Sequence, residues 1–284
     1  MKKNILGKTG FEIGTVVFGG IVTTDETPEN CKRYVSYAVD KGVNYFDVAP
    51  SYGNAQERLS PALAPYRKNA YLACKSTVRD SGIKDELYNS LKILKTDYFD
   101  VYQFHGLWRQ DDIDRIFSKN GAMEVLIKAK EEGYIRNIGF SAHNEDIAIQ
   151  MLAYYDFATV LFPVNWGMNM DKGFGDRLIN ICKYKNIGIL GMKTLAYNSD
   201  YDEEEKKRFP KAWYKSIYEN DALGKAAIKY TLSKGAHAVV PPGNFGQFSF
   251  VVENIDECEA NPLNDDDMKI LSAELKNVRE HHIF

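Results

Sequence analysis

The chain reads as an α/β protein of the (β/α)8 TIM-barrel class, and three observations predict it. Eight short apolar runs alternate with longer stretches that carry helical apolar spacing. Most successive runs start roughly 25–35 residues apart, the size of one βα repeat, with a longer interval before the last. The length, 284 residues, suits one barrel, and no linker or composition break divides it, so the expected unit is a single domain over 1–284. Nearly continuous apolar strands belong to a parallel sheet covered by helices. The competing architecture, an open doubly wound sheet, lacks a GxGxxG after the first strand.

The opening NILGKTGFEI predicts an N-terminal β-hairpin around a glycine-containing turn. The strands follow as TVVFGG (15–20), NYFDVA (44–49), YLACKS (71–76) and FDVYQFH (99–105). They continue as RNIGFSA (136–142), TVLFPVN (159–165), GILGMK (188–193) and AHAVVPP (236–242). Between them, Leu87, Leu91 and Leu94, or Met123, Leu126 and Ile127, mark apolar faces of helices. Residues 195–220 are too long for a simple loop, and connections of that length tend to be functional or flexible. The DEEEKK run inside them reads as a solvated face. The tail DDDMKILSAELKNVREHHIF predicts an extra C-terminal helix packed outside the barrel, with no chemistry of its own.

Composition narrows the function. Thirty-six basic and 39 acidic residues leave a formal charge of -3, without the basic footprint of a nucleic-acid binder. Cys31, Cys74, Cys182 and Cys258 are scattered, so neither a disulfide framework nor a metal cluster is expected. The N-terminus lacks a signal-peptide core, and no apolar run of about 18 residues is present to span a membrane. The expectation is a cytoplasmic protein with no membrane or nucleic-acid partner; its oligomeric state stays open, a monomer included.

Barrel active sites gather at the C-terminal ends of the strands. There the second strand brings Asp47 and, in its loop, Tyr52; the third brings Lys75 and the fourth His105. A phenol near pKa 10 is a poor acid–base group at neutral pH, and a nearby ammonium lowers that value. Asp47 would hold Lys75 charged, and His105 would orient an incoming carbonyl oxygen. Such a site protonates a developing alkoxide but holds no hydride source, so a cofactor must supply the hydride. Alone, Asp47 could be a helix cap and Tyr52 a loop aromatic. Lys75, which follows YLAC, needs a partner if buried. A Schiff base at Lys75, as in an isomerase or lyase, and a nicotinamide-sensing scaffold barrel with little turnover are the alternatives.

These residues stand in segments that resemble the aldo-keto reductases in the family's order. LGKTGFEIG (6–14), FDVAPSYGNAQE (46–57), LACKS (72–76), DYFDVYQFHG (97–106) and GYIRNIGFSAH (133–143) carry the likeness. The resemblance implies reduction of an aldehyde, ketone or small sugar with a nicotinamide cofactor and no metal. It implies Tyr52 as general acid, Asp47 and Lys75 as its tuning pair, and His105 as the orienter. For the cofactor it points to Gly20, Ile21, Ser141, His143, Asn165, Met192, Lys193 and Leu195. PPGNFGQFSFVVENID (241–256) is similar to the adenosine-phosphate segment and adds Gly243, Asn244, Glu253 and Asn254.

The chain departs from the family's commoner pattern at Ala142, Leu161, Met192 and Phe250. Met192 stands where a tyrosine often stacks on the nicotinamide, and Phe250 where an arginine usually meets the 2′-phosphate. NADP(H) is expected ahead of NAD(H), by a margin that the loss of this arginine narrows. The likeness is to a branch with FSxH and GMK motifs; the C-terminal cysteines of an iron–sulfur cluster are absent, with only Cys258 near the end. Trp108, Trp166 and Trp213 are candidate substrate residues, with Arg109 as either a pocket cation or a surface charge beside Asp111 and Asp112.

Overall fold

The computed structural model of the chain describes residues 1–283. The predicted hairpin forms from β1 (Lys3–Ile5) and β2 (Glu12–Gly14), with Asn4 opposite Ile13. Its turn brings Gly7 against the backbone of a barrel strand: a Cβ on Gly7 would lie 2.4 Å from the Gly188 nitrogen. Gly7 also has φ of +48°, so two constraints select glycine there.

Eight strands then make one parallel sheet: β3 (Val17–Gly19), β4 (Tyr45–Val48), β5 (Tyr71–Ser76), β6 (Phe99–Leu107), β7 (Ile135–Ala142), β8 (Thr159–Pro163), β9 (Gly188–Met192) and, after a short antiparallel pair β10 (Ala196–Asn198) and β11 (Lys215–Ser216), β12 (Ala238–Val240). The sheet curls until its ends meet. A single parallel bridge, Val16 to Val239, joins the first barrel strand to the last, with the Val239 N–H donating to the Thr15 carbonyl at 2.9 Å.

The helices α1 (Pro28–Asp40), α2 (Ala55–Leu63), α3 (Ile83–Leu94), α4 (Gln110–Ile116), α5 (Ala122–Glu131), α6 (Glu145–Tyr154), α7 (Trp166–Lys172), α8 (Asp176–Tyr184), α9 (Glu203–Arg208), α10 (Asp221–Ser233), α11 (Phe245–Ala260) and α12 (Asp265–Arg279) surround it. Three of them, α4, α7 and α9, lie within the connections that follow β6, β8 and β9. None of the described helices is long and apolar enough to cross a membrane.

Side chains alternate along each strand, so every second residue points into the barrel. One set, including Phe18, Phe46, Tyr102, Phe140 and Phe162, packs outward against helices. The other forms an inner apolar cluster of Val17, Tyr45, Ala73, Val101, Leu161, Leu190 and Ala238, closed below by Leu6 and Ile13 of the hairpin segment. Residues two places further along β4, β5 and β6 are Asp47, Lys75 and Gln103. They lie one layer above the floor, where water is excluded.

The structure corrects several boundaries. The first strand stops at Gly19, because Gly20 starts a 3-10 turn, Gly20–Thr23. The sixth stops at Pro163 and Asn165 caps α7; the last keeps only Ala238–Val240, with Pro241 and Pro242 lacking N–H groups for a ladder. The fourth runs two residues past His105, through a register shift between Phe104 and Leu107 with Gly106 at φ +67°. Such a bulge re-aims the side chains around it. The 195–220 segment is not structureless: it holds β10, α9 and β11, and α9 buries no side chain, as its charge run predicts. The C-terminal helix α12 forms and packs outside the barrel.

Candidate active site

At the C-terminal end of the barrel a cavity of about 440 Å³ opens, walled by residues from all eight strands or the loops that follow them. Asp47, Tyr52, Lys75 and His105 all line it. Asp47 is 3% and Lys75 1% exposed. They form a direct ion pair, and the second Asp47 oxygen accepts from Gln103 Nε2 at 3.0 Å. The Lys75 ammonium lies 4.9 Å from the centre of the Tyr52 ring. His105 meets the same ring edge-on, centroids 5.6 Å apart, with an interplanar angle of 90°. Ser51 Oγ is 3.2 Å from His105 Nδ1, and Arg79 Nη2 donates to the His105 carbonyl at 2.6 Å. The four residues expected to carry the chemistry thus meet at one spot.

The electrostatics differ from the simple expectation for Tyr52. Burial is the largest influence and pushes the phenol above its ordinary value; the Lys75 ammonium opposes this and Asp47 reinforces it. Tyr52 is therefore protonated at neutral pH. Lys75 pays for burial too, but the Asp47 carboxylate more than offsets it and holds the amine above its usual range. An ammonium held this firmly has no lone pair for a Schiff base, which counts against the isomerase or lyase alternative.

Burial, followed by the charge of Lys75, pushes His105 down to about 3, and burial with Lys193 takes His143 to about 4. Both imidazoles are neutral at working pH. Their unfolded counterparts protonate near 6.5, so below that pH the unfolded chain binds more protons and stability falls as pH drops toward about 4. The melting temperature of a His105→Gln variant is expected to fall less over this window than that of the wild type. Parallel melting curves at neutral and acidic pH check it, and equal slopes would contradict it.

Of the expected cofactor residues, Ile21, Ser141, His143, Met192, Lys193 and Gly243 also line the cavity. Ser141 Oγ accepts from the Gly106 N–H at 2.7 Å, linking β7 to the β6 bulge. Gly20 lies just behind, where a Cβ would come within 2.8 Å of the Val48 side chain. Lys193 has φ of +62°, stands 4.6 Å from the Tyr214 ring, and burial pushes it down to about 8.

Others are placed elsewhere. Asn165 does not face the cavity: its Oδ1 accepts from Met168 N, and its Nδ2 donates to Lys193 O and Ala196 O. It shapes the turn after β9 instead. Leu195 faces a separate, smaller cavity. Asn244 donates to Gln247 Oε1 at the start of α11. Further down that helix Glu253 accepts from the Tyr37 hydroxyl and Asn254 donates to the Phe250 carbonyl. Neither Glu253 nor Asn254 lines either cavity.

Trp108 and Trp213 stand at the mouth, 42% and 65% exposed. Arg109 lines a shallow neighbouring depression, and its N–H donates to Asp112. Trp166 is a correction. It is fully buried outside the barrel, among Leu223, Tyr230, Leu271 and Val278, because α7 turns it toward α10 and α12. Trp166→Ala is expected to cost about 3–5 kcal/mol of stability with KM unchanged, as denaturation and steady-state kinetics on the folded fraction will show. A selective rise in KM would restore Trp166 to the site.

Sequence reasoning missed Gln103, Ser51, Lys211 and Tyr214. Strand parity could have found Gln103, which shares a face with Val101 and His105. Lys211 reaches across the mouth to donate to Val22 O at 2.9 Å and Glu26 Oε1 at 2.8 Å. It comes from an aperiodic stretch that carries no signal.

Among the described residues no group of His, Cys, Asp and Glu is arranged to hold a metal ion. The chain is similar to an uncharacterized oxidoreductase, YqkF, of Bacillus subtilis, at 25% identity over 97% of both chains. It is also similar to L-galactose dehydrogenase of Arabidopsis thaliana, at 27% identity over 81% of this chain and 75% of that protein. Among solved structures, the holo form of an aldo-keto reductase from Bacillus halodurans superposes with a TM-score of 0.73, at 20% identity and 96% coverage of each chain, which supports the barrel fold. The Aldo/keto reductase family model matches residues 12–274, and so the chain belongs to the aldo/keto reductase family, whose members are oxidoreductases.

Proposed function

We propose that this chain reduces an aldehyde, ketone or small-sugar carbonyl with a nicotinamide cofactor, Tyr52 being the proton donor. The observation that carries the reading is the buried Asp47–Lys75 pair against the Tyr52 ring, with His105 in edge contact with the same ring. The cavity fits a nicotinamide. Ile21, Leu161, Met192 and Val240 offer apolar surface for a flat ring, and the Met192 thioether packs on such a face. The buried Ser141 hydroxyl supplies a polar contact for a carboxamide. A Cβ on Gly243 would lie 2.7 Å from Ile21 Cγ2, so backbone itself forms that wall. When bound, the reduced nicotinamide supplies hydride to the carbonyl carbon.

The protein's part is proton handling and positioning. Neutral His105 has one N–H to donate toward the carbonyl oxygen, without a second charge beside Lys75. Protonated Tyr52 delivers its proton to the oxygen as charge builds there. The Lys75 ammonium stabilises the phenolate left behind, and Asp47 with Gln103 keeps that ammonium in place. The alcohol is oxidised along the reverse path. Trp108 and Trp213 present aromatic faces at the rim, which suit the CH face of a sugar, and the likeness to a sugar dehydrogenase points the same way.

The test is cofactor oxidation with a panel of aldehydes, ketones and aldoses. Turnover on at least one is expected. Tight dinucleotide binding with no turnover on any would replace this reading with that of a sensing barrel.

A further inference from the structure

A second cavity, of about 230 Å³, opens beside the first on the same barrel face. It is far larger than one water, whose share of liquid volume is about 30 Å³. Three chain segments wall both. Lys193, Tyr214 and Gly243 face the main cavity, while Leu195, Ile217 and Gly246, two or three residues on, face the second. Along each of these segments the two cavities therefore lie only two or three residues apart.

The polar groups of the second cavity have a definite character. Gln247 is 2% exposed and lines it; its Oε1 is used by Asn244, while its buried Nε2 has no partner. A buried amide N–H without an acceptor is costly, and a ligand oxygen would relieve it. Two acidic residues, Glu219 and Asp221, also line it. Glu219 has φ of +53°, a strained setting for a residue with a side chain, just before Asn220 caps α10. One wall is apolar, from Leu195, Ile217 and Phe250.

A buried donor, two acidic residues and an apolar wall in one cavity suit a vicinal diol on a nucleoside: a hydroxyl can accept from the amide and donate to a carboxylate. A phosphate monoester offers acceptors and negative charge, and would meet both carboxylates at close range. Two cations stand near these acids, Arg208 paired with Glu219 at 2.7 Å and Lys225 paired with Glu257 at 2.7 Å, and neither lines the cavity. We infer that this chain prefers NAD(H) to NADP(H), with Gln247, Glu219 and Asp221 reading the free 2′,3′-diol of the adenosine ribose. The same exchange of a phosphate-binding arginine for a diol-binding carboxylate separates the two cofactors in unrelated dinucleotide folds. The inference rests on a nicotinamide dinucleotide occupying the main cavity, and it replaces the expectation of NADP(H).

Binding, not turnover, tests it. Calorimetric titrations with NADH, NADPH, ADP-ribose and 2′-phospho-ADP-ribose are expected to show at least tenfold tighter binding of each unphosphorylated partner. Glu219→Gln with Asp221→Asn, both at exposed positions, is expected to narrow that ratio severalfold. Gln247→Met is expected to weaken ADP-ribose severalfold. Equal or tighter binding of the 2′-phosphorylated ligands would overturn the inference, above all if Arg208→Ala abolished it. An unchanged ratio in the carboxylate variant would overturn it too. ADP-ribose lacks the nicotinamide, so the stated preference without any carbonyl turnover would sustain the diol site while defeating the proposed reaction.

Discussion

Tyr52→Phe is expected to lower kcat for carbonyl reduction by about 10²–10⁴-fold, the range for loss of a positioned acid. Only the hydroxyl is removed. The ring keeps its contacts with the Lys75 ammonium and the His105 ring, so the cavity walls are preserved. Dinucleotide affinity should therefore stay close to wild type, and the loss should fall on kcat, not on KM. Thermal stability should hold or rise slightly, because a phenol whose burial disfavours its charged form is exchanged for a hydrocarbon. Steady-state kinetics with a parallel dinucleotide titration check all three. A kcat within a few-fold of wild type would remove Tyr52 from the mechanism.

The second large effect concerns the pair beneath it. Lys75→Met leaves the Asp47 carboxylate buried with one remaining donor, Gln103, and such half-broken pairs cost about 3–5 kcal/mol. Domains of this kind are stable by about 5–15 kcal/mol, so the variant should unfold at clearly lower denaturant. Asp47→Asn strands the ammonium in the same way. The double variant, Asp47→Asn with Lys75→Met, buries no charge and should recover much of that stability, while turnover stays lost in all three. The cycle thus separates what the pair does for the fold from what it does for Tyr52. Additive losses in the double variant would show that the two side chains do not act as a pair.

The strands were legible because their apolar runs are nearly unbroken, and the convergence of Asp47, Tyr52, Lys75 and His105 because strand ends in a barrel meet at one face. Asp47, Lys75 and His105 follow from parity: each points inward from its strand, above Tyr45, Ala73 and Val101. The direction of the Tyr52 shift was not legible, since it depends on how burial compares with the pull of Lys75. Trp166 and Asn165 misled for one reason. The sixth strand gives way to α7 two residues earlier than its apolar run ends, and helix geometry turns both residues away from the cavity. Loop residues leave no periodic trace, so Lys211, Tyr214 and Glu219 carry no signal in the sequence.

The single bridge between Val16 and Val239 has a meaning for how the chain assembles. Every other barrel pairing joins strands that follow one another around the sheet and can form as the chain adds repeats. This one alone must bring together segments more than 200 residues apart, so the entropic penalty of ring closure is concentrated there. The main cavity lies over that join, with Ile21 on one side and Gly243 on the other. A dinucleotide bound there would act as a clasp, and its binding energy would be spent where the ring is fastened most lightly.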